Sequence, residues 1–290
     1  MQPSKQSVHS LFSIQRQYMV PLYQRKYVWT KEDQWEPLWE DIEREAAHSL
    51  ECIQRNKPLD MTHFLGTLVI SNHSTIGTKM PRADIIDGQQ RLTTLQLFLT
   101  ALRDLLNEKG YLDEKGFLTN LTENPYRTND PDGIHKVWPT NADRPDFRIV
   151  TRTGDKEQIK SIYIENSNNN YANKKILNSY LYYYESLMKY LEGETDLKIL
   201  NNANQSERIE SLLATLQQGI MFVVIELETT DDPQIIFETL NARGTQLLPS
   251  DLIRNFIFLK ANQENVESSD VLYNRYWLAF DDTNIDDRIH

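Results

Sequence analysis

Apolar side chains recur along this chain with two different periods, and the switch between them marks where elements begin. Leu92, Leu95, Phe98, Leu99, Leu102, Leu105 and Leu106 keep the 3.6-residue spacing that gathers side chains on one helical face. Directly before them the run Ala83-Asp84-Ile85-Ile86 predicts a strand that ends at Asp87-Gly88. His63 to Ile70 reads as a second, buried strand, and the polar connection from Ser71 to Arg82 makes a long hairpin the simplest way to join the two. Such a hairpin would place residues 87–91 beside the start of the first strand, with His63 on the same rim.

The same reading extends to both ends. Residues 7–14 predict a short helix or turn, and Gln17 to Val20 a strand ended by Pro21. Thr30-Lys31-Glu32-Asp33 has capping-box spacing, with Asp where Glu or Gln is usual. Trp35, Leu38, Trp39, Ile42 and Ala46 follow at helical intervals, and Pro37 predicts a kink or a delayed start. From Asn107 to Asp155 the pattern dissolves into Gly, Pro, Asn and Asp, although Trp138 and Phe147 predict that this stretch docks. Ile176, Tyr180, Tyr183, Tyr184, Leu187 and Leu191 outline a long helix, Ile209 to Leu216 a second, and Ile220 to Leu227 a strand inside a sheet. Asp232-Pro233 opens a further helix that closes at Gly244, and Ser250-Asp251 opens the last. The chain thus divides into an α/β part over 1–106, an irregular insertion over 107–170, and a helical part with a central strand over 171–290, packed as one unit.

Composition narrows the class. With 39% hydrophobic and 25% charged residues the chain has the make-up of an ordinary globular protein. No apolar run approaches the ~20 residues of a membrane span, and the first residues lack the apolar core of a secretory signal, so the expected setting is the cytoplasm. Cys52 is the single cysteine, which leaves no intrachain disulfide and predicts no cysteine-based zinc site. A net charge of -11 opposes a broad grip on nucleic acid unless basic groups gather on one face. Arg16, Arg25, Lys26 and Lys31 lie close in sequence, whereas Lys136, Arg144, Arg148, Arg152, Lys156 and Lys160 spread through the middle.

The candidate chemistry lies where strand gives way to helix. Asp87, Gly88, Gln89, Gln90 and Arg91 surround a first helical turn, whose N–H groups lack intrahelical partners and favour anions. These residues suit a phosphate pocket. They equally suit a plain turn in which Asp87 caps the helix, Gly88 permits the bend and Arg91 pairs with a surface acid. Residues 23–29 interleave aromatic and basic side chains, as in surfaces that stack bases, and as in a lid over a core. Asn241 and Arg243 stand at a helix end, where they either reach a ligand or simply terminate the helix.

Five blocks then occur in register. They are Val20-Pro21-Leu22-Tyr23-Gln24-Arg25-Lys26-Tyr27-Val28-Trp29, Phe64-Leu65-Gly66-Thr67, Ile85-Ile86-Asp87-Gly88-Gln89-Gln90-Arg91-Leu92-Thr93-Thr94, Trp138-Pro139-Thr140-Asn141, and Phe237-Glu238-Thr239-Leu240-Asn241-Ala242-Arg243-Gly244-Thr245-Gln246-Leu247, the last followed by Ser250-Asp251-Leu252-Ile253. Together they resemble the N-terminal domain of the GmrSD-type modification-dependent restriction endonucleases, a family related to the ParB and sulfiredoxin fold. The resemblance implies an α+β fold, with a ParB/sulfiredoxin-like core, a small mixed sheet and several added helices. It also implies a domain that binds and hydrolyses nucleoside triphosphate, preferring GTP, and that senses DNA modification to control a nuclease domain or subunit.

Carried onto this sequence, the resemblance makes Arg91 a phosphate clamp beside Gly88 and Asp87 the group that positions water or magnesium. Gln89 and Gln90 would orient water or hold phosphate oxygens, with Gln24, Arg25, Asn241 and Arg243 as further nucleotide contacts. Magnesium with the nucleotide is the implied cofactor; zinc, haem and membrane are not expected. Two departures qualify the resemblance. Sulfiredoxin chemistry needs a cysteine in this turn, where this chain has Gln89 and Gln90. No His-Asn-His-like cluster precedes His290, so a nuclease domain is expected to be absent and DNA cleavage by this chain alone is not expected. Two other functions stay open: a non-catalytic module for DNA or a modified base, and a docking platform for a nuclease partner.

Overall fold

The computed structural model describes residues 2–22, 24–60, 62–74, 77–167, 174–228, 231, 236, 257 and 269–277. The predicted helices opening at Asp232-Pro233 and Ser250-Asp251 lie outside the described residues but for single positions.

A six-stranded mixed sheet forms the frame. Its strands are β1 (Gln2–Ser7), β2 (Gln17–Met19), β3 (His63–Asn72), β4 (Arg82–Asp87), β5 (Val137–Trp138) and β6 (Ile220–Leu227), ordered β1-β6-β3-β4-β2-β5. β1 pairs with β6 and β3 with β4 antiparallel, while β3–β6, β2–β4 and β2–β5 are parallel. The chain is therefore α+β, and β6 is paired on both sides as its continuous apolar run predicts. Alternation sorts the side chains by face. Leu68, Ile70, Ile85, Phe222 and Val224 enter the main core, whereas Val69, Ile86 and Leu227 form a smaller cluster with Ile225 and Ile236.

The helices are α1 (Val8–Ser13), α2 (Glu36–Gln54), α3 (Gln89–Glu108), α4 (Leu112–Thr122), α5 (Arg144–Thr153), α6 (Lys156–Ser167), α7 (Lys175–Glu192), α8 (Lys198–Asn202), α9 (Gln205–Ala214) and a short α10 (Ser269–Leu272). Ser7 caps α1 by accepting the Ser10 N–H, and Asn204 with Glu207 closes a capping box on α9. Pro37 sits in the first turn of α2, behind a single π-turn over Lys31–Trp35, so the helix starts late as expected. The box predicted at Thr30 takes a different form. The Thr30 hydroxyl donates to Asp33 at 3.0 Å, and it is Gln34, one residue on, that accepts the Thr30 N–H at 2.9 Å.

α3 is buried on every side from Leu92 to Leu106, wider than the single apolar face in its sequence. Its long interior polar side chains are bonded, as burial requires. Gln96 donates to the Leu121 carbonyl, Arg103 reaches Asp104, Glu123 and the Thr151 carbonyl, and Tyr180 donates to Asp104. Tyr180, Tyr183, Tyr184 and Tyr190 of α7 are core residues.

Two expectations change. The stretch read as irregular holds α4, α5 and α6, because its turn-forming residues mark helix ends. Pro145 lies in the first turn of α5, and Gly154, at φ 74°, ends it. His63 does not stand beside Asp87. β3 is longer than β4, Asp87 stands opposite Val69, and His63 pairs with β6 while its Nε2 lies 3.3 Å from Asp41.

Candidate functional site

The β4–α3 turn is built by two glycines. Gly88 is the N-cap of α3 at φ 99°, a conformation that favours glycine, and no side chain caps the helix. Asp87 therefore turns away from the capping role and toward Arg91, whose Nη2 lies 3.4 Å from its Oδ2. Gly66 is the other. It lies in β3 where the register against β6 shifts between Phe64 and Thr67, and its φ is 112°. A Cβ there would come within 1.9 Å of Arg91 Nη1, so that end of the guanidinium lies against bare backbone, and Nη1 donates to the Leu65 carbonyl at 2.9 Å. Two of the sequence blocks, 64–67 and 85–94, thus meet at one arginine.

Arg91 is three-quarters covered, with Asp87 as its ion-pair partner among the described residues. Burial pushes its pKa down from the ordinary value, and the Asp87 charge offsets part of that. A partly desolvated guanidinium beside first-turn N–H groups suits an incoming anion.

The 24–28 segment converges on this turn. Gln24 is buried and donates Nε2 to the carbonyls of Ile85 at 2.5 Å and Ile86 at 3.1 Å. Gln90 accepts the Val28 N–H at 2.9 Å and donates to the Lys26 carbonyl at 3.1 Å. Gln24 donates to main-chain carbonyls, and both ends of the Gln90 amide are spent on backbone, so these residues position the segment. Tyr27 is buried, and its hydroxyl accepts from Trp35 Nε1 at 2.8 Å. It hydrogen-bonds Thr94 Oγ1 at 2.6 Å, and Thr94 Oγ1 in turn donates to the Gln90 carbonyl. Of the aromatic residues in the 23–29 block, Tyr27 is therefore core, Trp29 is half-buried, and Tyr23 lies outside the described residues. Gln89 and Arg25, both half-buried, make no side-chain hydrogen bond or ion pair with another described residue. Asn241 and Arg243 lie outside the described residues.

A contributor that sequence reasoning missed is Asp143. Its Oδ2 accepts the Tyr27 N–H and the Thr140 hydroxyl, each at 2.8 Å, and burial still pushes its pKa up to about 6. Thr140-Asn141 was one of the quoted blocks, but only the fold brings it to Tyr27. The mid-chain basic residues do not form one uncompensated face. Arg148 pairs with Asp132 and Arg152 with Glu123, Lys160 lies near Glu157, and Lys136 is buried against the Ile14 carbonyl with its pKa pushed down to about 8.

The sequence profile of the GmrSD restriction endonuclease N-terminal domain matches residues 8–258, nearly the whole chain. The chain belongs to that family. Among curated proteins, none matches it. As a GmrSD N-terminal domain it is part of a restriction, phage-defence protein directed at modified DNA. No helix among the described residues is long and apolar enough to cross a membrane.

Proposed function

We propose that this GmrSD N-terminal domain binds and hydrolyses a nucleoside triphosphate at the β4–α3 turn, and that turnover there couples sensing of DNA modification to a nuclease domain or subunit. The observation that carries the reading is the Arg91 guanidinium, seated on Gly66 at the first turn of α3 with one long carboxylate contact. In this reading the turn is the counterpart of the phosphate-gripping turn of ParB/sulfiredoxin-like folds, with guanine the base expected from the family.

Arg91 grips phosphate oxygens through its fork, with the α3 N-terminus and Gly88 backbone alongside. Gln89 and Arg25, which have side-chain donors to spare, are the residues that reach further phosphates or orient water. Asp87, about one-third exposed, is the one carboxylate among residues 87–91. That suits magnesium arriving on the triphosphate, an ion commonly held by one or two carboxylates plus phosphate oxygens and water. It does not suit a resident all-protein magnesium cage, since Asp87 joins no cluster of three ligating side chains among the described residues. Bound there, magnesium would neutralise charge on the phosphates. The non-catalytic DNA module has less support at Tyr27, whose ring is buried.

Hydrolysis of the four nucleoside triphosphates with magnesium, for wild type, Asp87→Ala and Arg91→Ala, tests the assignment, with circular dichroism verifying the fold. Loss of a charge-assisted hydrogen bond worth roughly 1.5–3 kcal/mol predicts that Arg91→Ala weakens nucleotide binding about 10- to 100-fold. Turnover indifferent to both substitutions would overturn the proposal.

A further inference from the structure

Helix α2 carries a second cluster, on an element the β4–α3 turn does not use. His48 and Cys52 stand four residues apart, so they share one helical face. The helix then ends in a Schellman motif. Asn56, at φ 50°, donates its N–H to the Ile53 carbonyl, and Lys57 donates to the Cys52 carbonyl at 2.9 Å. Pro58 follows, and the reversed chain brings Asp60 back over the last turns. His48 Nε2 lies 3.0 Å from Asp60 Oδ1 and 3.7 Å from Cys52 Sγ, and the three ligand atoms all fall within 4.8 Å of one another.

A nucleophilic triad would use both imidazole nitrogens, one for the thiol and one for the carboxylate. Here thiol and carboxylate both face Nε2, which can carry only one proton. That is the arrangement of ligands converging on a common point. Around a tetrahedral zinc, with bonds of about 2.0–2.3 Å, ligand atoms stand roughly 3.4–3.6 Å apart, close to the separations His48 makes. Cys52 is buried, His48 is partly exposed and the Asp60 carboxylate is largely exposed, so the point is open to solvent on one side.

We propose that His48, Cys52 and Asp60 form a binding site for a divalent transition metal of the zinc class, with solvent as fourth ligand. A neutral imidazole, a thiolate and a carboxylate balance a dipositive ion, and the thiol proton is released to solvent on binding. The metal pins residues 55–60 to α2.

Cobalt(II) is the probe, titrated into the whole chain purified with chelator. Wild type gives a thiolate-to-cobalt charge-transfer band and tetrahedral d–d bands saturating at one equivalent. Zinc displaces the cobalt and raises the thermal midpoint. Cys52→Ser abolishes the charge-transfer band. His48→Ala and Asp60→Asn, at more exposed positions, each weaken cobalt affinity by more than the roughly 10- to 100-fold caused by losing a ligand's hydrogen-bond partner. No charge-transfer band in wild type overturns the site, as does a band surviving in Cys52→Ser or one equally tight in both other variants.

Discussion

Gly66→Ala puts the packing of Arg91 to a direct test. A methyl at that position would sit 1.9 Å from Arg91 Nη1, an impossible approach, and the atom that must yield is the end of a flexible side chain. The guanidinium then moves off the Leu65 carbonyl, giving up a charge-assisted hydrogen bond of about 1.5–3 kcal/mol. Alanine at φ 112° adds backbone strain of about 1–3 kcal/mol. The two parts separate in a double-mutant cycle with Arg91→Ala, followed by urea unfolding. In the wild-type background Gly66→Ala should cost about 2.5–6 kcal/mol, and in the Arg91→Ala background only the strain, leaving a coupling of about 1.5–3 kcal/mol. Equal costs in both backgrounds would refute the claim that Gly66 is the seat of the guanidinium.

Two further outcomes follow from the same bonds. Gln90→Ala leaves the Val28 N–H and the Lys26 carbonyl without their partners and should lower stability by about 2–4 kcal/mol in denaturant melts, whereas Gln89→Ala should shift it by no more than about 0.5 kcal/mol. Asp143 has its folded pKa raised to about 6 from 3.8, so the folded state holds its proton more tightly than the unfolded one. Its contribution is fully present below pH 3.8 and is lost as pH climbs through about 6. Asp143→Asn should remove that decline, and unfolding curves for the two proteins that stay parallel between these limits would contradict it.

The long apolar periods made much of this fold legible. The face of α7 and the hairpin of β3 with β4 need only the local pattern, and the strand–turn–helix at Asp87 is written in adjacent residues. What escaped were features that depend on distant partners. The buried polar residues of α3, such as Gln96 and Thr100, gave no sign of burial because their acceptors lie on α4 or on the helix itself. The helices between 107 and 170 were hidden by Pro145 and Gly154, which punctuate helices as readily as loops. At the site, Phe64-Leu65-Gly66-Thr67 was noticed as a block, but a glycine inside a strand announces only that something comes close; that it is Arg91 required the fold. Counting cysteines alone does not reveal that an imidazole one helical turn away and a carboxylate past the helix end stand within 4.8 Å of the Cys52 thiol.

The way residues 24–28 are fastened bears on how the chain can be cut. This segment lies in no helix or strand, and its polar groups are met by side chains from all over the sequence. Gln90 comes from the first 106 residues. Asp143, which takes the Tyr27 N–H, comes from the middle. Lys175, which donates to the Val28 carbonyl at 2.7 Å, comes from beyond 170. A fragment ending at 106 would keep every residue of the β4–α3 turn and still strand the tether beside it, with the Tyr27 amide and the Val28 carbonyl left without these partners. The tether against the β4–α3 turn is thus a joint product of three sequence regions.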